Sequence, residues 1–148
     1  MNNNEESVDK LHDLVETLQN GQKGYKDASE HIEHSDLKTV LYRLSQQRAL
    51  FEAEIKDEIR QLGGTEEEKE SLKGKLQDVW MDFKSGYNGN DTEGILNECK
   101  KRETDAMRSY EEALSSDLPA YIREKVEGQY KLIKGAYEQL VEFQVNPS

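Results

Sequence analysis

This sequence lacks the features that mark secreted proteins and membrane proteins. The 148 residues include a single cysteine, Cys99, so no disulfide can form within the chain, which fits a reducing compartment. No apolar run approaches the roughly 20 residues of a membrane-spanning helix. The start, Met1 to Glu6, lacks the basic and then apolar pattern of a signal peptide. We therefore expect a cytoplasmic protein.

Basic residues are also in short supply. The chain has 20 lysines and arginines against 31 aspartates and glutamates, a formal net charge of -11. A surface of this charge repels the phosphates of nucleic acids and the headgroups of anionic lipids. Nucleic-acid and membrane partners are therefore disfavoured, and a protein partner or a second copy of the chain is the expected kind of partner.

Apolar residues recur at alternating steps of three and four over four long segments. This spacing is typical of helices that face the core of a bundle. The four predicted helices are named A to D in chain order. They span residues 7–34, 36–62, 92–115 and 118–144, with approximate ends. The sequence thus predicts an all-α fold that forms one four-helix-bundle domain over residues 1–148.

Turn and cap residues join these helices in pairs. Ser35 and Asp36 offer an N-cap for helix B, and Gly63-Gly64 ends that helix. Ser115-Ser116-Asp117 offers a turn and a cap before a first-turn proline, Pro119. The short connections predict two antiparallel hairpins, A with B and C with D.

The connection between helices B and C is long and contains a further apolar pattern. It predicts a short helix over about 68–85, whose apolar face carries Leu72, Leu76, Val79, Trp80 and Phe83. A connection of this length can cross the whole bundle, which predicts the up, down, down, up order of ferritin-like folds. The alternative is a three-helix bundle with a mobile arm, but the aromatic residues favour a docked segment.

Several local strings resemble a bacterial family of small ferritin-like four-helix-bundle proteins, a domain of unknown function. The resemblance extends from about Val8 to Phe143 and implies a ferritin-like fold in a stress-related protein, without implying a reaction. The strings that carry it are residues 18–25, Gln46-Gln47-Arg48-Ala49, Trp80-Met81-Asp82-Phe83-Lys84, residues 98–110 and Leu118-Pro119-Ala120.

The sequence does not contain the ligands of a standard di-metal centre. Such a centre in a ferritin-like enzyme uses a Glu from two helices and a Glu-x-x-His pair from each of the other two. No Glu-x-x-His occurs, and the three histidines, His12, His31 and His34, all fall in predicted helix A. We expect no cofactor. A Ser/His/Asp set and a Gly-rich phosphate loop are also absent from the sequence.

Polar residues nevertheless interrupt each apolar stripe near its middle. They predict one polar layer across the bundle, formed by Gln22, Arg48, Glu103 and Gln129. One interpretation is a remodelled metal or ligand pocket that retains Glu103. The other is a self-satisfied layer in which Arg48 pairs with Glu103 and fixes the register of the helices. We favour the second, because an arginine beside the carboxylate supplies the positive charge that a metal would bring.

A weaker metal candidate lies at the surface near the end of helix A. His31, His34 and Glu30 are close enough along one helix to share a divalent ion. Histidines in the last turn of a helix also interact favourably with the helix dipole without any metal. We favour this simpler role.

Two glycines within helix A require a reason, because glycine destabilises a helix interior. Gly21 and Gly24 predict that another helix or side chain approaches closely, and Arg48 is the bulky candidate. Tyr25, next to them, is predicted to be a core tyrosine whose hydroxyl needs a hydrogen-bond partner.

Two functions remain open at this point. The first is a non-catalytic helical module that associates with itself or binds a partner protein. The second is a metal-binding or oxidative protein with a non-standard carboxylate site.

Overall fold

The computed structural model of the chain describes residues 3–64, Trp80 and residues 91–143. These residues form four α-helices and no strand: α1 (Asn3–His31), α2 (Ser35–Gln61), α3 (Thr92–Leu114) and α4 (Ala120–Glu142). The prediction of an all-helical, four-helix chain is confirmed for this part of the protein. The predicted helix at about 68–85 lies outside the described residues, apart from Trp80. None of the four described helices is long and apolar enough to cross a membrane.

The ends of the first hairpin differ from the prediction. α1 ends at His31, so His34 lies outside it and is instead the N-cap of α2. The backbone of His34 is extended, and its ring nitrogen Nδ1 accepts a hydrogen bond from the Leu37 amide at 3.3 Å. The predicted cap at Ser35 or Asp36 is therefore wrong. An imidazole nitrogen here does what a serine or aspartate oxygen usually does.

The turn of the second hairpin also lacks the predicted cap. Pro119 itself is the N-cap of α4, and no side chain from Ser115 to Asp117 caps that helix. Arg123 stabilises the turn instead, because its guanidinium donates to the backbone carbonyls of Leu114 and Ser116 at 2.7 and 2.6 Å. The Leu114 carbonyl is one of the last four of α3, which have no partner within the helix.

Helices α1 and α3 pack against each other in opposite directions. The hydroxyl of Thr17 donates to that of Ser109 at 3.1 Å, and further along α1 the Tyr25 hydroxyl lies 3.4 Å from the backbone carbonyl oxygen of Cys99. Residue numbers therefore rise along α1 as they fall along α3. This antiparallel contact joins the two hairpins.

The buried apolar side chains form two clusters, one toward each end of the bundle. The first cluster includes Leu11, Leu14, Leu18, Phe51, Ile55, Ile59, Tyr110, Ile122, Val126 and Ile133. The second includes Tyr25, Ala28, Ile32, Leu37, Leu41, Leu44, Ile95, Leu96, Cys99, Ala136 and Leu140. Along α2 and α3 the two clusters are separated by Arg48 and Glu103, which are 1% and 0% exposed.

Candidate functional site

A buried ion pair occupies the level between the two apolar clusters. Arg48 of α2 donates from Nη1 to Oε1 of Glu103 in α3 at 2.9 Å, and from Nη2 to Oε2 at 2.5 Å. Its Nε donates to the side-chain oxygen of Gln47 at 3.1 Å. Two parallel hydrogen bonds between a guanidinium and a carboxylate form the strongest geometry available to such a pair. The structure thus brings together two of the four predicted layer residues.

Tyr25 completes this site from α1. Its hydroxyl donates to Oε1 of Glu103, and its ring centroid lies 5.3 Å from the guanidinium carbon of Arg48. Both oxygens of Glu103 therefore accept hydrogen bonds from buried donors. A carboxylate held in this way has little capacity left to bind a metal or to take a proton from a substrate.

Burial fixes the protonation states around the pair. Burial raises the pKa of Tyr25 well above its ordinary value, and the neighbouring Glu103 raises it further. Burial has the largest single effect on the pKa of Arg48 and would lower it, but the attraction and hydrogen bonding of Glu103, together with the nearby Tyr25 and Tyr110, raise this pKa above its ordinary value. Burial, followed by Glu103, also raises the pKa of Cys99 far above that of an exposed thiol. At neutral pH Tyr25 and Cys99 are therefore protonated, and Cys99 is a poor nucleophile.

The two mid-helix glycines of α1 admit different side chains. A β-carbon placed at Gly21 would lie 3.5 Å from Cγ of Arg48, which is an ordinary contact. A β-carbon placed at Gly24 would overlap the indole of Trp80. The prediction that both glycines make room for Arg48 is therefore wrong for Gly24. Trp80 packs edge-on against Tyr25 with ring centroids 5.1 Å apart.

The two predicted glutamines do not belong to this layer. Gln22 is only half-buried, and Gly21 and Tyr25 take the inner positions of α1 beside the ion pair. Gln129 is buried but lies in a second polar group, where it accepts from Tyr110 at 2.6 Å and donates to Glu54 at 2.9 Å. Tyr110 is about two helical turns from Glu103. The predicted single layer of four residues is thus two separate groups.

A cleft of about 330 Å³ between α1 and α3 opens onto the ion pair. The cleft is lined by Tyr25, Arg48, Trp80 and Glu103. Its other polar lining residues carry charged, hydroxyl or amide side chains: Asp13, Glu16, Thr17, Asn20, Arg102, Asp105, Arg108, Ser109 and Glu112. The volume lies at the low end of small-molecule sites, but the walls are more polar than is typical for them.

The surface metal candidates are engaged in local helix contacts. His31 is half-buried with Nδ1 2.8 Å from the carbonyl oxygen of Asp27, and His34 caps α2. Glu30 is exposed. Within residues 3–64, 80 and 91–143, no group of three or more His, Cys, Asp or Glu side chains is arranged to hold a metal ion.

One contact near the site could have been predicted from residue spacing alone. Glu98 and Arg102 are four residues apart on α3, and they form an ion pair at 3.0 Å. Arg102 also lies over the indole of Trp80, with its guanidinium carbon 5.8 Å from the ring centroid. The hydroxyl contact of Thr17 with Ser109 had no such signal, because it depends on how α1 and α3 are staggered.

Comparison with known proteins identifies the family of the chain. No curated protein matches it. A family model described as a domain of unknown function matches residues 6–116, which include α2, α3 and all but the first turn of α1. The matched range contains Tyr25, Arg48 and Glu103 and leaves out α4. The chain belongs to this family, the domain of unknown function DUF2383.

Proposed function

We propose that this protein is a non-catalytic, ferritin-like four-helix bundle that acts by protein association, and that its Arg48–Glu103 pair occupies the level where a di-metal centre would lie. The bidentate pair is the observation that carries the proposal. The guanidinium supplies positive charge beside the carboxylate, where a metal ion would otherwise supply it. It also occupies the oxygens that would bind them.

The ferritin-like, up, down, down, up order is supported by the positions of the helix ends. After α2, Gly64 lies against Val8, near the first apolar cluster. At the start of α3, Ile95 lies in the second cluster together with Leu37. The connection between α2 and α3 therefore has its two ends at opposite ends of the bundle, as a long crossover requires.

The side chains near the pair do not fit a di-metal centre. Among the described residues, the interior at this level offers one carboxylate, Glu103, beside a tyrosine, an arginine and the neutral thiol of Cys99. The sequence has no histidine after His34, so α2, α3 and α4 provide none as an inner ligand. A Glu-x-x-His pair on each of two helices is the minimum that the standard centre needs.

Association with a protein is supported by where the exposed apolar side chains lie. In the described part of the chain, the large apolar residues that are about half exposed all belong to α2 and α4: Tyr42, Leu50, Tyr121, Leu132 and Val141. Helices α1 and α3 show none. Tyr121 and Leu132 lie on the same side of α4, eleven residues or about three turns apart, and together they offer apolar area for a protein contact.

Metal analysis tests the non-catalytic half of the proposal. Untagged protein, purified without chelators, should contain substoichiometric iron, manganese and zinc by inductively coupled plasma mass spectrometry. Glu103→Gln protein serves as the control and should have the same metal content. Two tightly bound ions per chain that disappear in Glu103→Gln would overturn the proposal. They would favour a metal-binding or oxidative protein with a non-standard carboxylate site.

A further inference from the structure

One stripe of α4 has a regular pattern, and the described residues leave its two glycines uncovered. The stripe follows alternating steps of four and three residues and contains Tyr121, Lys125, Gly128, Leu132, Gly135, Gln139 and Glu142. Leu132 and Tyr121 are 56% and 53% exposed. Alternating steps of this kind form the contact seam of paired helices.

The glycines of this stripe are unlike those of α1. Gly21 and Gly24 make room for Arg48 and Trp80, whereas no described atom lies within 4 Å of a β-carbon placed at Gly128 or Gly135. Glycine weakens a helix interior, so these two positions weaken α4 without a packing reason inside the described chain. Glycines on a helix surface allow the backbone of another helix to approach closely.

We infer that this stripe of α4 binds the same stripe of a second copy of the chain, in an antiparallel arrangement about a two-fold axis. In the register of an antiparallel seam, Leu132 faces Gly135 of the second copy, and Gly135 faces Leu132 in return. The same register places Lys125 opposite Glu142 of the second copy. A side chain thus fills the space over a glycine twice, as an isologous interface requires.

The charges favour a second copy in this direction. Lys125 lies near the start of α4 and Glu142 at its end, so an antiparallel pair makes two attractive contacts. Lys131 and Glu138 lie on one flank of the stripe and would meet in the same register. A parallel pair would instead place Lys125 opposite itself and Glu142 opposite itself. Since the net charge of -11 opposes association in general, these local attractions determine the orientation.

This inference rests on the proposed function, because it names the partner and the surface for the proposed association. The experiment measures the dimer dissociation constant by sedimentation equilibrium of the full chain. The parent should form a reversible dimer. Leu132→Glu should raise the dissociation constant by at least about tenfold, as expected for a central contact residue. Circular dichroism should show unchanged helix content, since Leu132 is half exposed.

Val141→Glu is the matched control. Val141 is 49% exposed on the same helix, but nine residues after Leu132 is about two and a half turns, which places it on the opposite side. This variant should dimerise like the parent. If Val141→Glu weakens the dimer as much as Leu132→Glu does, the assigned surface is wrong.

A charge exchange tests the register. Lys125→Glu and Glu142→Lys should each weaken the dimer, and the double variant should recover parental affinity. Failure of the double variant to recover would overturn the antiparallel register. If Leu132→Glu leaves the dimer dissociation constant unchanged, this surface is wrong, but self-association is still supported. A parent that stays monomeric at every concentration overturns self-association as well, while the metal analysis tests the non-catalytic role independently.

Discussion

Removing one member of the buried Arg48–Glu103 pair should be much more destabilising than removing both. Glu103→Leu leaves the guanidinium with Gln47 and the face of Tyr25, and Arg48→Met leaves the carboxylate with the Tyr25 hydroxyl as its main donor. An uncompensated buried charge typically lowers the free energy of unfolding by about 3 to 5 kcal/mol. Since a domain of this size has about 5 to 15 kcal/mol in total, each single variant should lose at least about a fifth of its free energy of unfolding.

The double variant should be far milder, because apolar side chains of similar volume need no partner. Urea unfolding of the parent, both single variants and the double variant completes a double-mutant cycle, with a coupling energy of at least about 3 kcal/mol expected. The exposed Arg60–Asp57 pair, at 3.1 Å with both side chains about half exposed, is the control cycle. It should give less than about 1 kcal/mol. Single changes at Arg48 and Glu103 that each lower stability by less than about 1 kcal/mol, and simply add, would refute the buried pair.

Two further outcomes are expected from the neighbouring residues. Gly24→Ala should displace the indole of Trp80, the only tryptophan in the sequence, and shift its fluorescence toward longer wavelengths. Gly21→Ala should leave the emission spectrum unchanged, because its β-carbon makes only an ordinary contact with Arg48 at 3.5 Å. Equal spectra for the two variants would contradict the assigned position of Trp80. Burial raises the pKa of Tyr110 above its ordinary value of 10.0, so the unfolded state loses this proton first and stability should fall as the pH rises above 10.0. Tyr110→Phe should show a smaller fall in denaturant titrations across this range, and an identical fall would exclude Tyr110 as a cause.

The sequence predicted which face of each helix is buried better than it predicted which residues meet. Arg48 and Glu103 could be paired because each interrupts a strong apolar stripe and the two have opposite charges. Gln129 interrupts its own stripe in the same way, yet it bonds with Tyr110. Periodicity specifies the direction in which a side chain points around its helix, but the axial stagger depends on the turns and on packing between helices.

The prediction placed Gln22 in the polar layer wrongly, and the cause lies in the packing next to α1. Gly21, Gln22 and Tyr25 all fall within the angular range that could face the core. The side chain of Arg48 passes beside α1, with its Cγ and Nη1 3.5 and 3.7 Å from a β-carbon placed at Gly21. A residue without a side chain fits this position better than a glutamine does. The inner orientation of α1 was thus determined by the volume of a residue on another helix.

The ion pair also connects the two halves of the chain during folding. Arg48 belongs to the α1–α2 hairpin and Glu103 to the α3–α4 hairpin, 55 residues further along. Either hairpin formed alone would present one unneutralised charge within its apolar face. An intermediate that buries this face before the other hairpin docks would bury an unpaired charge, so its free energy is raised relative to the docked bundle. The pair thus favours folding in one cooperative step, even if a purely apolar core would be more stable.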